Sequence, residues 1–206
     1  QCFEGFDVSH TPKLETKLLS IIAANGVTAK ISASRLKIGD DADMMLLANG
    51  IFCYPRFEIY DEQTVNTGMQ NLTVIKCNLS LFIQSVDQGV IFSTITYKIT
   101  GSGKERNQAL NKAISEIDTK DSKWGVFLQQ ARTEIAKYYD RNCSTILEQA
   151  NQLSQMNMTS EAIALLWPIP KDIACYGQAK TKLVDVYKKH INVDCAKSIT
   201  KAKSMI

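Results

Sequence analysis

Residues 72–84, LTVIKCNLSLFIQ, carry apolar and polar side chains in a strand-like rhythm. Ile75, Cys77, Leu79, Leu81 and Ile83 point one way; Lys76, Asn78, Ser80 and Gln84 point the other. A period of two fits a strand with one buried face. A second run, VIFSTITYKIT at 90–100, places Ile91, Ile95, Tyr97 and Ile99 inward. Asp87-Gln88-Gly89 lies between the runs and has turn chemistry. The two runs predict an antiparallel hairpin. Its apolar face must be covered by another layer.

The sequence on either side supplies that layer. Thr11-Pro12 opens a helix, with Thr as N-cap and Pro at the first helical position. Leu14, Leu18, Ile21 and Ile22 then recur at helical spacing, and Asn25-Gly26 stops the run. SRLKIG and MMLLANGIFCYPRFEIYD read as strands, the second with Ile51, Cys53, Phe57 and Ile59 on one face and Arg56 and Glu58 on the other. After the hairpin, a helix is expected from about Lys104 to Ile117, burying Ala109, Leu110, Ala113 and Ile114. The order predicts an α+β fold, an antiparallel sheet with helices on one face.

Composition changes at DTKDSK, residues 118–123, and all that follows is helical. We expect an α+β domain over 1–120 and a helical-hairpin domain over 121–206, continuing past residue 206 in the natural chain. Trp124, Phe127, Leu128, Ala131, Ile135, Tyr138, Tyr139, Ile146, Leu147, Ala150 and Leu153 form a helical stripe. Thr159 or Ser160 caps a short helix that Pro168 and Pro170 end. A last helix from near Ile173 carries Ala179, Leu183, Val186, Tyr187 and Ile191. Its lysines, Lys180, Lys182, Lys188, Lys189, Lys197, Lys201 and Lys203, read as a solvated face.

ILEQANQLSQMNMTSEAIALLWPIP resembles one tetratricopeptide-type helical hairpin, through Ala150, Leu153, Glu161-Ala162-Ile163, Leu166 and the terminating Pro. The whole chain resembles a group of Bacteroidetes proteins that joins a small α+β module to a helical-hairpin tail. That module is similar to the N-terminal part of TolB-like and other envelope-assembly proteins. The resemblance is carried by TPKLETKLLSIIAANGV, ITGSGKERNQALNKAI, IAKYYDRNCSTILEQA, SEAIALL and CYGQAK. It implies an exported, non-catalytic protein and transfers no catalytic residue.

The stretch YKITGSGKER invites a phosphate-binding reading. A Walker loop needs G-x-x-x-x-G-K-[ST], so that glycines let backbone N–H groups wrap phosphate and a hydroxyl holds Mg²⁺. Lys98 stands at the first Gly position, and Glu105 replaces the Ser or Thr. A dinucleotide G-x-G-x-x-G fails at Arg106. What remains is a turn in which the glycines permit positive φ and Ser102 or Gly103 caps the following helix. No cofactor is expected.

The six cysteines, Cys2, Cys53, Cys77, Cys143, Cys175 and Cys195, form no C-x-x-C, and neither His10 nor His190 lies near one in metal-ligand spacing. No metal site is expected. Both histidines read as surface or cap residues. Cys143 and Cys175 each sit near the start of a helix flanking the short one, which makes them disulfide candidates. Cys175 and Cys195 lie 20 residues apart on one helix, about 30 Å, and cannot pair. Cys53 and Cys77, both on inward strand faces, are buried thiols or a second cross-strand pair.

No G-x-S-x-G elbow is present, and no nucleophile has a base arranged beside it. The four sequons, at Asn71, Asn78, Asn142 and Asn157, are assigned no function. Trp124, Phe127, Tyr138 and Tyr139 pack a core or form a partner surface. A net charge of +3 with no dense basic patch does not indicate nucleic acid, and no apolar run approaches a bilayer span. A start at Gln1 suits a processed, exported chain. The expected role is a non-enzymatic assembly or protein-interaction module of the bacterial envelope or exterior, periplasmic or extracellular, acting on a protein partner or on itself. The alternative is a structural component of a phage virion or phage-derived machine. A hydrolase with an unrecognised site is the third reading.

Overall fold

The computed structural model describes residues 11–26, 50–85 and 89–203. The elements run α1 (Thr11–Ala24), β1 (Ile51–Asn66), β2 (Asn71–Ser85), β3 (Ile91–Gly103), α2 (Arg106–Ser115), α3 (Ser122–Gln155), α4 (Thr159–Leu166) and α5 (Tyr176–Lys203). The strands form one antiparallel sheet in the order β1-β2-β3. The fold is α+β, followed by an all-helical region. His10, Cys2, SRLKIG, the start of the MMLLANG run and Asp87-Gln88 lie outside the described residues.

The chain divides into two compact units. The first holds α1, nearly all of β1 and β2, β3, α2 and the start of α3 through Ala131; the second holds α3 from Arg132, α4 and α5. The compositional change near residue 120 is the connection between α2 and α3. The division between units lies further along, inside α3.

In the first unit β2 alternates as its sequence requires. Ile75, Cys77, Leu79, Leu81 and Ile83 are buried, and each of the four aliphatic side chains contributes roughly 1.5–3 kcal/mol by leaving water. β3 departs from the expected phase. Ile83 pairs with Ser93, but the next residue, Gln84, pairs with Ile91. Phe92 is the extra residue of a bulge, and a bulge shifts every side chain beyond it to the other face. Phe92 and Ser93 are therefore both buried, and Ile91 is turned outward. Ile95 and Tyr97 are half-buried, and Ile99 alone of the four expected residues is fully inside. Ser85 N–H closes the turn on Val90 O at 2.9 Å, and Gly89 takes φ 62° there.

α2 buries the expected Ala109, Leu110, Ala113 and Ile114. It lies directly on β3 at two glycines. A Cβ on Gly101 would come 2.0 Å from Ala109 O and 2.4 Å from Ala113 N. A Cβ on Gly103 would come 2.6 Å from Gln108 Cβ. α1 buries Leu14, Leu18 and Ile21. Its lysines hold the far end of α2. Lys13 Nζ donates to Asn111 O and Ser115 Oγ, and Lys17 Nζ donates to Ser115 O and Ile117 O. Ammonium groups there meet carbonyls at and just beyond the last turn of the helix, its negative end.

In the second unit Tyr139, Ile146, Ala150, Ala162, Ile163, Leu166, Ile169, Ile173, Ala179 and Val186 form one core. The alanines let α3, α4 and α5 approach closely. α4 begins after Met158, whose side chain makes no cap, so neither Thr159 nor Ser160 is the N-cap. Asn157, at φ 61°, reverses the chain ahead of it, a conformation Asn tolerates better than most residues.

Candidate functional site

The strand-to-helix corner is the first place to look for chemistry. Gly101 and Gly103 are not in a positive-φ turn; they are strand residues paired with Ile75 and Thr73. Extended, paired backbone cannot fold into the concave nest of N–H groups that holds a phosphate. The Lys104 N–H is taken by Gln108 Oε1 at 3.1 Å. Glu105, not Ser102 or Gly103, is the N-cap of α2, and it makes no side-chain cap bond. Arg106 Nε reaches Glu62 Oε2 on β1 at 3.1 Å. The corner is a packing joint.

The four aromatics divide between the units. Trp124 and Phe127 are buried in the first, and Tyr139 is buried in the second with Tyr138 edge-on to it at 5.2 Å. Three of the four side chains are buried and Tyr138 is half-buried. Trp124 instead anchors the start of α3. It stacks on Tyr97 with centroids 4.6 Å apart and planes 6° from parallel, and its Nε1 donates to Asp118 O at 2.7 Å. Asp121 caps the helix by accepting Lys123 N–H at 2.9 Å, and it also accepts the Tyr97 hydroxyl. Desolvation, then the bond to Asp121, pushes the Tyr97 phenol well above its ordinary pKa, so it stays a donor. The same bond holds the Asp121 carboxyl below the usual range.

Cys143 and Cys175 are joined by a disulfide, with Cα atoms 6.5 Å apart. Cys143 is not at a helix start; it lies well inside the 34-residue α3. Cys175 directly precedes α5 and accepts Ala179 N–H at 3.0 Å. The bond therefore ties the start of α5 to the flank of α3. Cys53 and Cys77 are free thiols, not a pair. The β1–β2 turn, closed by Thr67 N–H on Gln70 O, and the Lys76–Asp61 ion pair at 2.8 Å set the strand register. That register offsets the two cysteines by about seven residues, roughly 23 Å along the strands. Cys77 is buried, and burial pushes its thiol up to about 11. Cys53 is exposed, not inward.

His190 is not a solvated residue. Its Nδ1 lies 2.9 Å from Thr159 Oγ1 at the start of α4, and its Nε2 lies 3.2 Å from Asp194 Oδ2 one turn on. The three groups imitate a hydroxyl–imidazole–carboxylate relay. Thr159 is buried, however, so no substrate carbonyl can reach its oxygen. The trio fastens α4 to α5. Lys182 and Lys189 act in the same way rather than as solvated charges, donating to Asn151 Oδ1 and Ser154 O of α3. A cleft of about 370 Å³ lies between these helices, lined by Leu147, Glu148, Asn151, Gln178 and Lys182, and is open to solvent. Among the described residues no group of three or more His, Cys, Asp or Glu side chains could hold a metal ion. Among them no helix is long and apolar enough to cross a membrane.

The outer side of α5 is the feature the sequence reading missed. Ala179, Leu183 and Val186 face the core. Tyr187 and Ile191, expected beside them, are 54% and 50% exposed. Val184, at 45%, and Ile199, at 51%, join them, with the exposed free Cys195 between. At about 100° per residue these five positions fall within about 120° of the helix surface, a face that borders the buried side at Tyr187 and that exposed Lys188 shares. α5 thus has two apolar faces and fills only one. The signal was present in the sequence, because Val184 and Ile199 fit no single stripe with Ala179 and Val186.

No family model matches the chain, and no curated protein does. Among solved structures it is similar to the crystal structure of a minor lipoprotein from Acinetobacter baumannii, at 14% identity and a TM-score of 0.25, over 69% of this chain and 87% of that one. A likeness at that level carries no argument about this chain.

Proposed function

We propose that this protein is a non-enzymatic interaction or assembly module of the bacterial envelope or exterior. The observation that carries the reading is the exposed apolar stripe of α5, Val184, Tyr187, Ile191 and Ile199, on a helix whose other face is already packed. A helix apolar on both sides is suited to burial between two layers. The Cys143–Cys175 bond supports an oxidising compartment, because structural disulfides persist there and are rare in the cytosol. The polar groups described above are occupied in holding helices together, which favours a scaffold over a catalyst.

The test is retention of a partner. Wild-type protein and Ile191→Glu, immobilised in parallel, are exposed to envelope extract of the native host, and size in solution is measured alongside. The reading expects a protein partner, foreign or a second copy, that wild type keeps and the variant loses. A strict monomer that retains nothing sinks it.

A further inference from the structure

We infer that the Cys143–Cys175 disulfide is a redox latch on the start of α5. Closed, it seats residues 167–180 against α3. Opened by a thiol, it frees that segment while the rest of α5 stays docked. This goes beyond the interaction reading and does not depend on it. The holding points along α5 are unevenly spread. The connection from α4, residues 167–175, fully buries only Ile169 and Ile173, and Trp167, Lys171, Asp172 and Ala174 are exposed. The first turn of α5 is locally weak. It has no acidic residue to meet the positive end of the helix. Gly177, a poor helix former, lies in it with nothing within 4 Å of a Cβ. Ala179 is the first residue of α5 to be buried. Three small anchors stand against the entropy of ordering the whole segment, so the covalent tether decides whether it stays in place.

Further along, α5 has other fastenings. Val186 is buried, Lys182 and Lys189 donate to Asn151 and Ser154 of α3, and His190 is bonded to Thr159 of α4. The disulfide stands one turn ahead of the α3–α5 cleft on both helices. Cys143 precedes Leu147 and Glu148, and Cys175 precedes Gln178. Opening the latch therefore takes Gln178 away and removes one wall of the cleft. Cys143 is buried and Cys175 is half-buried, so an incoming thiolate attacks the Cys175 Sγ. The S–S bond breaks, its electron pair leaves on the Cys143 sulfur, and that sulfur takes a proton. A second thiolate resolves the mixed disulfide, which releases Cys175 as a thiol and a small-molecule disulfide. Closing runs the same exchange in reverse, with a small-molecule disulfide as oxidant and two small thiols as its reduced product.

Hydrogen exchange of the full chain, read by mass spectrometry with and without dithiothreitol, tests this. In the oxidised protein the Tyr176 and Ala179 amides are bonded to Ile173 O and Cys175 O. On reduction, peptides over 167–180 are expected to exchange about 10-fold faster or more, as a locally opened segment does. Peptides over 144–155 and 183–195 keep their protection. Glutathione disulfide restores the slow exchange. The double variant Cys143→Ser/Cys175→Ser exchanges as reduced wild type does, and reductant leaves it unchanged. Two results overturn the inference. If 167–180 is as protected after reduction as before, the bond holds nothing in place. If protection falls by the same factor across 144–155 and 183–195, the bond staples the whole unit and is no latch. Neither result bears on the interaction reading, which is tested at Ile191.

Discussion

Gly101 and Ala109 are in backbone contact: a Cβ on Gly101 would lie 2.0 Å from the Ala109 carbonyl oxygen. The atoms it would strike belong to a helix backbone, which cannot rotate aside as a side chain can. α2 must lift from β3, and Leu110 and Ile114 lift with it. Gly101→Ala is therefore expected to cost about 3 kcal/mol, at the upper end for overpacking. Gly177→Ala is the control. It sits in the first turn of α5 with nothing within 4 Å, so it is neutral or stabilising by up to about 1 kcal/mol. Urea unfolding of the two variants decides the matter. Equal stability of Gly101→Ala and wild type would remove the close-packing account of this corner.

Gly101 and Gly103 show where the sequence is legible and where it is not. The alternation of Ile75, Cys77, Leu79, Leu81 and Ile83 and the helical spacing of Ala109, Leu110, Ala113 and Ile114 can be read directly, because each follows the period of its own element. Gly-Ser-Gly is read as a turn because glycine serves turns and close approaches equally, and only the position of α2 separates the two. The bulge at Phe92 escapes for a related reason. One extra residue leaves the letters alternating while the pairing slips. In α5, Tyr187 and Ile191 and the set Ala179, Leu183 and Val186 are both legitimate apolar faces. Which one is buried depends on Ala150 and Ala162 of neighbouring helices. Pairing Cys143 with Cys175 rested on helix starts lying side by side, whereas the bond reaches the middle of α3.

That bond has a measurable consequence. It joins residues 32 apart in sequence, and closing a loop of that size removes denatured-state entropy worth about 3–4 kcal/mol in the chain-entropy account. The double variant Cys143→Ala/Cys175→Ala is expected to lose about that much in urea unfolding. Reduction of wild type by dithiothreitol should reproduce the loss and leave the double variant unchanged. A reductant effect of equal size on both proteins would assign the stabilisation elsewhere.

Asp121 gives stability a pH dependence. Its carboxylate accepts the Tyr97 hydroxyl and the Lys123 N–H, and both lower its pKa in the folded chain. A group whose folded pKa is depressed stabilises fully above its unfolded value, about 4, and loses that contribution as pH falls through the folded value. Asp121→Asn keeps a capping oxygen and cannot titrate. Wild type should be the more stable protein at pH 6–7, and the gap should close as pH drops below about 4. Thermal unfolding of both proteins from pH 2 to 7 measures it. A gap constant across that range would show that the carboxylate charge plays no part.

The free thiols differ in burial, and labelling reads that difference at each site. Cys77 lies inside the sheet, and burial, which disfavours the thiolate, pushes its pKa up to about 11. At pH 8 its thiolate fraction is about 10⁻³, several hundred-fold below that of a thiol with the ordinary pKa near 8.5. Exclusion of the reagent slows it further. Cys195 is exposed on α5, where the reagent reaches it. Iodoacetamide applied to the native protein at pH 8, with peptides resolved by mass spectrometry, should modify Cys195 within minutes and leave Cys77 untouched until urea unfolds the first unit. The urea dependence of Cys77 labelling then follows the stability of the sheet, so Gly101→Ala should expose Cys77 at lower urea while Cys195 labels as before. Rapid modification of Cys77 in the native chain would mean that the sheet opens without global unfolding, and the buried face of β2 would no longer serve as the core of that unit.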